Sequence, residues 1–385
     1  MINTQWQIFV EQVKRHYAKS MIPLHEPTFG EKELEYVTDC IQSGWVSSVG
    51  SYVNAFEEQL CAITGVKHAI AVVNGTAALH IALKIAGVKK NDEVIMPSLS
   101  FVATANAAAY LEAVPHFVDT SLISLGIDPY KLDSYLERIT KTEGNILINR
   151  QTGRIIKAVV AMHTFGHPVE LKPLMKLCDK YNLMLIEDAA ESLGSLYNDK
   201  ATGSFGHVSA VSFNGNKLIT TGGGGAILTN DDDLAYLAKH LTTTAKLPHQ
   251  WEYTHDMIGY NYRMPNINAA LGCAQLEKLD KFIEQKRQLT SFYEDLLQDF
   301  KGVQLFTEPK YARSNYWLQT LMLQSELERD EILAYLNENH VMSRPIWKPL
   351  HLLEMYNNCP RSDLSIVEEV NKRIINVPST PVSEE

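Results

Sequence analysis

Apolar residues in this chain form short runs that alternate with stretches of helical spacing, beginning near His68. Short apolar runs bounded by Gly, Pro, Asn or Asp are typical of buried strands, and the Ala/Leu-rich stretches between them are typical of helices. The predicted strands are residues 68–73, 93–96, 114–118, 155–162, 183–186, 208–213 and 226–228, and the predicted helices between them are residues 77–86, 98–110 and 170–181. This alternation predicts an α/β domain with a mostly parallel sheet, in which ligands lie beyond the carboxyl ends of the strands.

The segments around this alternation follow other patterns. Residues 1–20 are polar and predict a partly helical lead-in, while residues 31–42 and 53–63 predict two helices that cover the core. Residues 145–153 interrupt the alternation and predict an excursion such as a hairpin. Residues 242–264 are long, polar and without a clear period, and irregular segments of that kind are usually functional or interfacial.

A second, smaller unit is expected towards the C-terminus. Residues 266–300 predict one long or bent helix that contains a domain boundary. The segments that follow predict a smaller α+β domain, with apolar runs at residues 303–306, 317–323 and 341–346 and a helix at residues 328–339. The sequence therefore divides into a lead-in (1–21), a large α/β domain (22–275) and a small C-terminal α+β domain (276–385).

Composition narrows the class of protein. The chain has 385 residues, of which 45% are hydrophobic and 21% charged, as in ordinary globular proteins, and its net charge of −10 argues against a general nucleic-acid or membrane surface. Its five scattered cysteines predict reduced thiols, with neither a metal site nor a disulfide. No apolar run reaches the roughly 18 residues that span a bilayer, and no signal peptide is indicated, so we expect a cytoplasmic protein.

The candidate chemistry centres on Lys217, which follows a predicted strand and precedes the four glycines at 222–225. A lysine between two apolar strands, among residues that let the backbone approach a ligand closely, is suited to act as a reagent. The alternative is a Gly-rich hairpin that carries an exposed lysine.

Three further features point to the same edge of the sheet. Asn74, Gly75 and Thr76 lie between a strand and a helix start, where free N–H groups favour an anion such as phosphate, although the same pattern is an ordinary N-cap. Asp188 ends an apolar strand and is either a site carboxylate or half of a structural ion pair. Residues 257–272 offer polar side chains just before a helix.

Together with Lys217, these are the parts that pyridoxal phosphate (PLP) chemistry needs. A lysine forms the Schiff base, an aspartate keeps the pyridine nitrogen protonated, and a helix N-terminus holds the phosphate.

The chain resembles the DegT/DnrJ/EryC1/StrS family of PLP-dependent sugar aminotransferases, which have the aspartate-aminotransferase-like PLP fold type I. The resemblance runs from about residue 22 to the C-terminus, and within the family it is to the LegC-like branch. The segments that carry it are residues 23–27 (PLHEP), 44–50 (GWVSSVG), 189–194 (AAESLG), 212–217 (SFNGNK), 240–246 (HLTTTAK) and 344–350 (RPIWKPL).

The resemblance implies a set of cofactor contacts. Lys217 would hold PLP and move a proton between the substrate carbon and the cofactor, and Asp188 would pair with the pyridine nitrogen. Glu191 stands where the wider family has Gln or His, on the side of the cofactor's 3-oxygen. The remaining contacts implied are those of Gly75, Thr76 and Ser212 to the phosphate, of Phe101 to the ring unless it is a helix core residue, and of Asn261 from the second subunit of a homodimer.

The resemblance also implies a substrate site. Cations suit a diphosphate, and aromatic side chains suit a base or a sugar face. The residues implied are Trp45, Ser47, Ser48, His163, Arg263, Arg344, Trp347, Lys348 and His351. The alternative for each is packing at the surface or between domains, and for His163 a satisfied structural histidine.

The expected function is transfer of an amino group from glutamate to C4 of a UDP-linked 4-keto-6-deoxy-N-acetylhexosamine, through pyridoxamine phosphate, for legionaminic acid or bacillosamine-type surface glycans. Alternatives within this chemistry are transfer to C3 and a GDP- or dTDP-linked sugar. The related sugar 3-dehydratases have histidine in place of the Schiff-base lysine, so Lys217 argues against that activity. A nucleotide-binding regulatory protein is a further alternative, but the chain has no GxxxxGK[ST] and no GxGxxG between a strand and a helix.

Overall fold

The structure, a computed structural model, describes residues 4–382. Its helices are α1 (Thr4–Tyr17), α2 (Glu31–Ser43), α3 (Ser51–Thr64), α4 (Gly75–Ile85), α5 (Val102–Tyr110), α6 (Pro129–Ile139), α7 (Leu171–Tyr181), α8 (Asp232–Thr242), α9 (Asn266–Leu276), α10 (Leu279–Leu297), α11 (Glu326–Glu338) and α12 (Ser365–Asn371). Its strands are β1 (His68–Val72), β2 (Glu93–Pro97), β3 (Val114–Val118), β4 (Thr140–Glu143), β5 (Ile146–Asn149), β6 (Ile155–Met162), β7 (Met184–Asp188), β8 (Leu196–Tyr197), β9 (Lys200–Ala201), β10 (Val208–Ser212), β11 (Gly225–Thr229), β12 (Val303–Leu305), β13 (Ala312–Arg313), β14 (Gln319–Leu323), β15 (Arg344–Pro345) and β16 (Ile374–Val377).

The larger sheet follows the order β1-β11-β10-β7-β6-β2-β3. Strands β10, β7, β6, β2 and β3 run parallel, while β11 is antiparallel to both of its neighbours. Strands β4 and β5 form a hairpin, and β5 pairs with β6 in antiparallel orientation. The hairpin begins at Thr140, five residues before the predicted excursion at residues 145–153. Parallel strands are covered by helices on both faces and read as continuous apolar runs, which is why β2 is buried along its whole length. The predicted α/β fold is confirmed.

Helix α5 begins at Val102, four residues later than the sequence predicted. Ser98 is not free to enter the helix, because its N–H donates to Val118 O (3.0 Å) and its carbonyl accepts from Leu350 N–H (2.9 Å). The strand ladder therefore continues past β2. As a result, Phe101 becomes the N-cap residue of α5 instead of a residue inside the helix.

The smaller sheet is antiparallel, in the order β12-β14-β16-β15. Its central strand β16 and helix α12 were not predicted. The predicted run at 341–346 forms only the short strand β15. The predicted helix at 266–300 is two helices, α9 and α10, because Lys278 adopts φ −105° and ψ 0° between them. The predicted domain boundary at residue 275 lies next to this break, and the division into domains stays a prediction.

Helix α1 corrects the prediction of a separate lead-in. Its residues Trp6, Phe9 and Val13 are buried in the core of the smaller sheet, together with Tyr293 of α10 and Leu321 of β14. The segment is polar overall, but its apolar residues recur at helical spacing, so one face of the helix packs into the core of the smaller sheet. Residues 1–3 of the predicted lead-in and residues 383–385 of the predicted small domain lie outside the described residues.

Candidate active site

Several strand ends of the larger sheet open on one cavity of about 310 Å³. Asn74 follows β1, Met162 ends β6, Asp188 ends β7 and Ser212 ends β10. This carboxyl edge is where ligands of α/β sheets bind. The lining residues are Asn74, Gly75, Thr76, Leu79, Phe101, Ala103, Thr104, Met162, Asp188, Ala190, Glu191, Ser212, Asn214, Asn216, Lys217, Trp317 and Trp347.

Lys217 lies in the turn between β10 and β11, where its N–H donates to Asn214 O (2.9 Å). Its side chain is only 15% exposed. The Nζ atom lies 3.2 Å from Glu191 Oε1 and 3.9 Å from the centroid of the Trp317 ring. The alternative of an exposed hairpin lysine is therefore excluded, and the amine is placed to react with a ligand in the cavity.

Glu191 is the ion partner of Lys217, and its carboxylate is buried. Burial raises the pKa of Glu191 to about 7, although the charge of Lys217 and the Phe165 N–H, 2.9 Å from Oε2, oppose this rise. Phe165 has φ 57°, a left-handed conformation that costs free energy in a non-glycine residue and persists where the surroundings hold it. A carboxyl with this pKa can accept or release a proton near neutral pH.

Asp188 is buried at the end of β7. Its Oδ2 accepts from Thr104 Oγ1 (2.8 Å) and its Oδ1 from Ala190 N–H (3.2 Å). Burial raises the pKa of Asp188, and the hydrogen bond from Thr104 opposes the rise. Within residues 4–382 no ion pair includes Asp188, so the alternative of a structural ion pair is not supported. A buried carboxylate without a cation is suited to meet one on a ligand.

The start of α4 forms a cradle next to Ser212. Asn74 caps the helix, with its Oδ1 accepting from Ala77 N–H (2.8 Å). A Cβ atom at Gly75 would lie only 2.7 Å from Ser212 Cβ, so glycine is what allows the helix start to approach that side chain. The first N–H groups of a helix have no partner inside the helix. Gly75, Thr76 and Ser212 could therefore hold a phosphate.

Aromatic side chains form the opposite wall. Phe101, Trp317 and Trp347 line the cavity, and the Phe165 ring centroid lies 5.0 Å from that of Trp347. Phe101 is 52% exposed, so its alternative as a helix core residue is wrong. A second cavity of about 590 Å³ is lined by the same four rings, with Arg344 among its other residues. Aromatic faces beside a cation suit a sugar that carries a phosphate group.

The sequence did not single out Thr104 or Trp317 as site residues. Thr104 lies three residues after Phe101, so helical spacing from that residue was a usable signal. Trp317 reaches the cavity from the smaller unit, 100 residues after Lys217 (317 − 217), and no local pattern could have indicated it.

Two predicted substrate residues lie elsewhere. His163 is buried with its Nε2 3.0 Å from Glu187 Oε2, while its Nδ1 accepts from Val169 N–H (3.2 Å). His351 is buried with its Nδ1 2.6 Å from Ser98 Oγ and its Nε2 3.1 Å from Glu368 Oε1. Because all four nitrogens are engaged, the structure corrects both predictions. These histidines hold loops together, and neither lines the two cavities that contain Trp317.

The other predicted residues are divided between the two cavities and exposed or half-buried positions outside them. Trp45 lines a separate surface cavity, with its carbonyl accepting from Asn266 Nδ2 (2.7 Å). Arg263 Nε donates to Asn261 Oδ1 (3.0 Å) on an irregular segment outside both cavities. The structure therefore brings Gly75, Thr76, Phe101, Asp188, Glu191, Ser212, Lys217 and Trp347 together in the first cavity and Arg344 in the second. It leaves Trp45, Ser47, Ser48, Asn261, Arg263 and Lys348 outside them.

Neither a metal site nor a membrane span is found in the part of the chain that the structure describes. No three His, Cys, Asp or Glu side chains among residues 4–382 are grouped so as to hold a metal ion. No helix in this range is long and apolar enough to cross a bilayer.

Comparison with known proteins gives consistent matches over nearly the whole chain. The model of the DegT/DnrJ/EryC1/StrS aminotransferase family matches residues 27–385. A GDP-perosamine synthase from Escherichia coli O157:H7 is 38% identical over 360 residues, covering 94% of this chain and 93% of the relative. A dTDP-4-dehydro-2,3,6-trideoxy-D-glucose 4-aminotransferase from Saccharopolyspora spinosa is 30% identical, covering 94% and 92%. The solved structure of Helicobacter pylori PseC, an aminotransferase involved in the biosynthesis of pseudoaminic acid, is similar with a TM-score of 0.83 and 26% identity, covering 93% of each chain.

Proposed function

Because the chain belongs to the DegT/DnrJ/EryC1/StrS family of PLP-dependent nucleotide-sugar aminotransferases, we propose that it transfers an amino group from glutamate to C4 of a nucleotide-linked 4-keto-6-deoxyhexose. The observation that carries the proposal is the cavity in which Lys217, Glu191 and Asp188 meet the start of α4. The ends of three strands at one sheet edge supply these groups: β1 leads to α4, β7 carries Asp188 and leads to Glu191, and β10 leads to Lys217.

The residues of this cavity fit PLP. Lys217 offers a sheltered amine for its aldehyde, Asp188 a buried carboxylate without a cation for its ring nitrogen, and the cradle at Gly75 and Ser212 a site for its phosphate. When bound, PLP draws electrons from the substrate carbon that bears nitrogen, so that this carbon can lose its proton.

The proton then passes through side chains of this chain. With PLP bound, Lys217 Nζ would be the base that takes the proton and the acid that returns it. Glu191 Oε1 lies 3.2 Å away and can hold a proton at near-neutral pH. Trp317 and Trp347 line the cavity and place apolar ring surface beside the exchange.

The identity of the nucleotide on the substrate is a more specific part of the proposal. The PLHEP and GWVSSVG segments resemble the LegC-like branch and favour a UDP-linked N-acetylated sugar. The 38% identical relative is named for a GDP-linked sugar and favours GDP. The relative from Saccharopolyspora spinosa is named as a 4-aminotransferase, which supports C4 over C3. In either case the product is an amino sugar of the kind used in surface glycans. A UDP-linked N-acetylated product would feed legionaminic acid or bacillosamine-type synthesis.

A homodimer with shared sites is also part of the proposal. Trp45, Trp251, Tyr253 and Ile258 are between 58% and 82% exposed. Where exposed apolar side chains form a patch, the patch marks an interaction surface. Asn261 and Arg263 lie on the same irregular segment as the last three of these four residues. We propose that a second copy covers this surface and thereby receives these two side chains at its own cavity.

The test combines spectroscopy with a substrate panel. Purified protein with PLP should show a visible band that borohydride abolishes and that glutamate converts to the pyridoxamine form, whereas Lys217→Ala should lack the band. The glutamate-treated protein is then mixed with UDP-, GDP- and dTDP-linked 4-keto-6-deoxyhexoses, and the position of the new amine is read by NMR. Light scattering gives the oligomeric state. Absence of the band in PLP-supplemented protein would overturn the proposal.

A further inference from the structure

Trp317 connects the two sheet units at the Lys217 turn. It lies two residues before β14 of the smaller sheet and is 4% exposed. Its indole Nε1–H donates to Asn216 O (2.7 Å), the carbonyl of the residue before Lys217. Its ring face lies 3.9 Å from Lys217 Nζ. One side chain of the smaller unit therefore contacts both the backbone and the reactive amine of the turn.

The turn has backbone bonds of its own, such as that from Thr221 N–H to Phe213 O (3.0 Å). The Lys217 side chain is instead held from outside the turn, by Glu191 Oε1 (3.2 Å) and by the Trp317 ring. Residues 214–224 include Gly215 and three consecutive glycines from Gly222, and glycine gives a backbone wide conformational freedom. A lysine side chain also loses considerable rotamer freedom when it is fixed. Because a small misplacement of a reacting group slows a reaction strongly, the contacts that fix the turn and the amine bear directly on reactivity. Glu191 contacts the amine alone, whereas Trp317 contacts both the amine and the turn backbone.

Lys286 in turn fixes Trp317. This residue of α10 is fully buried, and its Nζ donates to Trp317 O (2.8 Å) and to Ser379 O. Burial holds the pKa of Lys286 well below its ordinary value. Among the ion pairs of residues 4–382 none includes Lys286, so its amine serves two backbone carbonyls alone. Burying an amine without a carboxylate is unfavourable, which points to a role beyond general packing.

We infer that Trp317 is a positioning residue for Lys217. The indole N–H fixes the backbone of the turn, and the ring face holds the Lys217 amine by a cation–π contact. Lys286 holds the Trp317 backbone in the position from which the side chain makes these two contacts. The smaller unit thus determines where the reactive group of the larger unit stands. The catalytic consequence rests on the proposed function, whereas the contacts themselves do not.

Four variants separate these contributions. Trp317→Phe keeps an aromatic face and removes the N–H donor, and Trp317→Leu removes both. Lys286→Met removes the anchor behind Trp317. Tyr293→Phe is the matched control, because Tyr293 lies on the same helix and donates one hydrogen bond to Pro378 O (2.9 Å), next to the Ser379 carbonyl that Lys286 contacts. This control loses a comparable bond without touching Trp317.

Two measurements are made on each variant. Hydrogen exchange of cofactor-free protein, followed by mass spectrometry, reports the mobility of residues 213–221. Capture of added PLP, trapped with borohydride and counted on the Lys217 peptide, reports the placement of the amine. For Trp317→Leu we expect about tenfold faster exchange in the turn and about tenfold slower capture. Trp317→Phe and Lys286→Met should show smaller changes in the same direction, and Tyr293→Phe neither change.

The inference is overturned if both Trp317 variants capture PLP and exchange like the wild type. It is also overturned if Tyr293→Phe changes both readouts as much as Lys286→Met does, since general loosening would then suffice. If Trp317→Leu does not fold, Trp317→Phe and Lys286→Met still decide. Failure of the wild type to capture PLP would contradict the proposed function instead, and the exchange measurement would then decide the inference.

Discussion

Glu187 and Glu191 lie four residues apart, both are buried, and each pairs with a basic side chain, yet their surroundings differ. Glu187 accepts hydrogen bonds from His163, from Ser209 Oγ, and from the N–H groups of Gly203, Phe205 and Gly206. Glu191 accepts from the Phe165 N–H and from Lys217.

The number of donors sets the direction of each pKa. Burial disfavours the ionised form of both carboxyls. At Glu187 the bond from His163 and the backbone N–H groups outweigh burial, and the pKa is lowered. At Glu191 burial prevails, and the pKa is raised to about 7. The fully satisfied carboxylate stabilises the fold, while the one with few donors remains able to exchange protons in the cavity.

The largest effect should come from removing the reactive partner of Glu191. Lys217→Ala should lower amino transfer on the order of 10⁴-fold, because the amine that binds the cofactor and moves the proton is lost. Single-turnover absorbance with glutamate measures this. The protein should still fold, since the side chain makes one ion pair. Added methylamine should restore part of the rate, and a variant within tenfold of the wild type would contradict the assignment.

Removing the satisfied carboxylate should affect stability most. Glu187→Ala should lower the free energy of unfolding by about 4 kcal/mol, because it leaves His163 and several buried N–H groups without an acceptor. Urea unfolding of the cofactor-free protein at pH 8 measures the change. Glu191→Gln is the matched variant and should cost far less at this pH, where the wild-type carboxyl is ionised at a free-energy cost. Equal losses would abolish the distinction between the two sites.

The pH dependence of stability should have opposite signs at the two carboxyls. The folded pKa of Glu191 lies above its unfolded value of 4.5, so its contribution to stability is fully present below pH 4.5 and is lost as pH rises through about 7. The unfolding free energy of the wild type relative to Glu191→Gln should therefore fall by about 3 kcal/mol across this window. The lowered pKa of Glu187 predicts stability that is present above its unfolded pKa and lost as pH falls through the folded pKa. A flat difference for Glu191 would show that burial does not set its pKa.

The sequence located the groups that end strands of the larger sheet. Asp188 and the start of α4 could be placed in one crevice because parallel strands share a carboxyl edge, and Lys217 could be added because it follows β10 at that edge. Ser212, which ends β10, was implied by the family resemblance. His163 also follows a strand of this edge, and the resemblance implied a site role for it. A strand end indicates proximity to the edge, but not which partners the side-chain nitrogens have, and both are taken by Glu187 and Val169.

The sequence could not predict the contacts between the two sheet units. Trp317 reaches the cavity through the packing of the smaller sheet, and its position depends on Lys286 and on the central strand β16. Tertiary packing also places helix α1 in the core of the smaller sheet, although its sequence predicted a separate lead-in. Local periodicity predicts elements, whereas the pairing of elements far apart in the chain is decided by tertiary packing.

The smallest effect should come from removing one donor at Asp188, whose situation lies between those of the two glutamates. Thr104→Val keeps the shape of the side chain and removes the hydroxyl, 2.8 Å from Asp188 Oδ2. Without it the pKa of Asp188 should rise further, the carboxylate should pair less well with a ring nitrogen, and PLP binding should weaken about fivefold, or about 1 kcal/mol. Absorbance titration of cofactor-free protein measures this affinity. Thr140→Val, which loses a hydroxyl bond to Leu136 O (2.7 Å) away from the cavity, should leave the affinity unchanged. If both variants bind PLP like the wild type, a single donor does not determine the ionisation of this buried carboxyl. The pKa difference between Glu187 and Glu191 must then depend on their basic partners, His163 and Lys217.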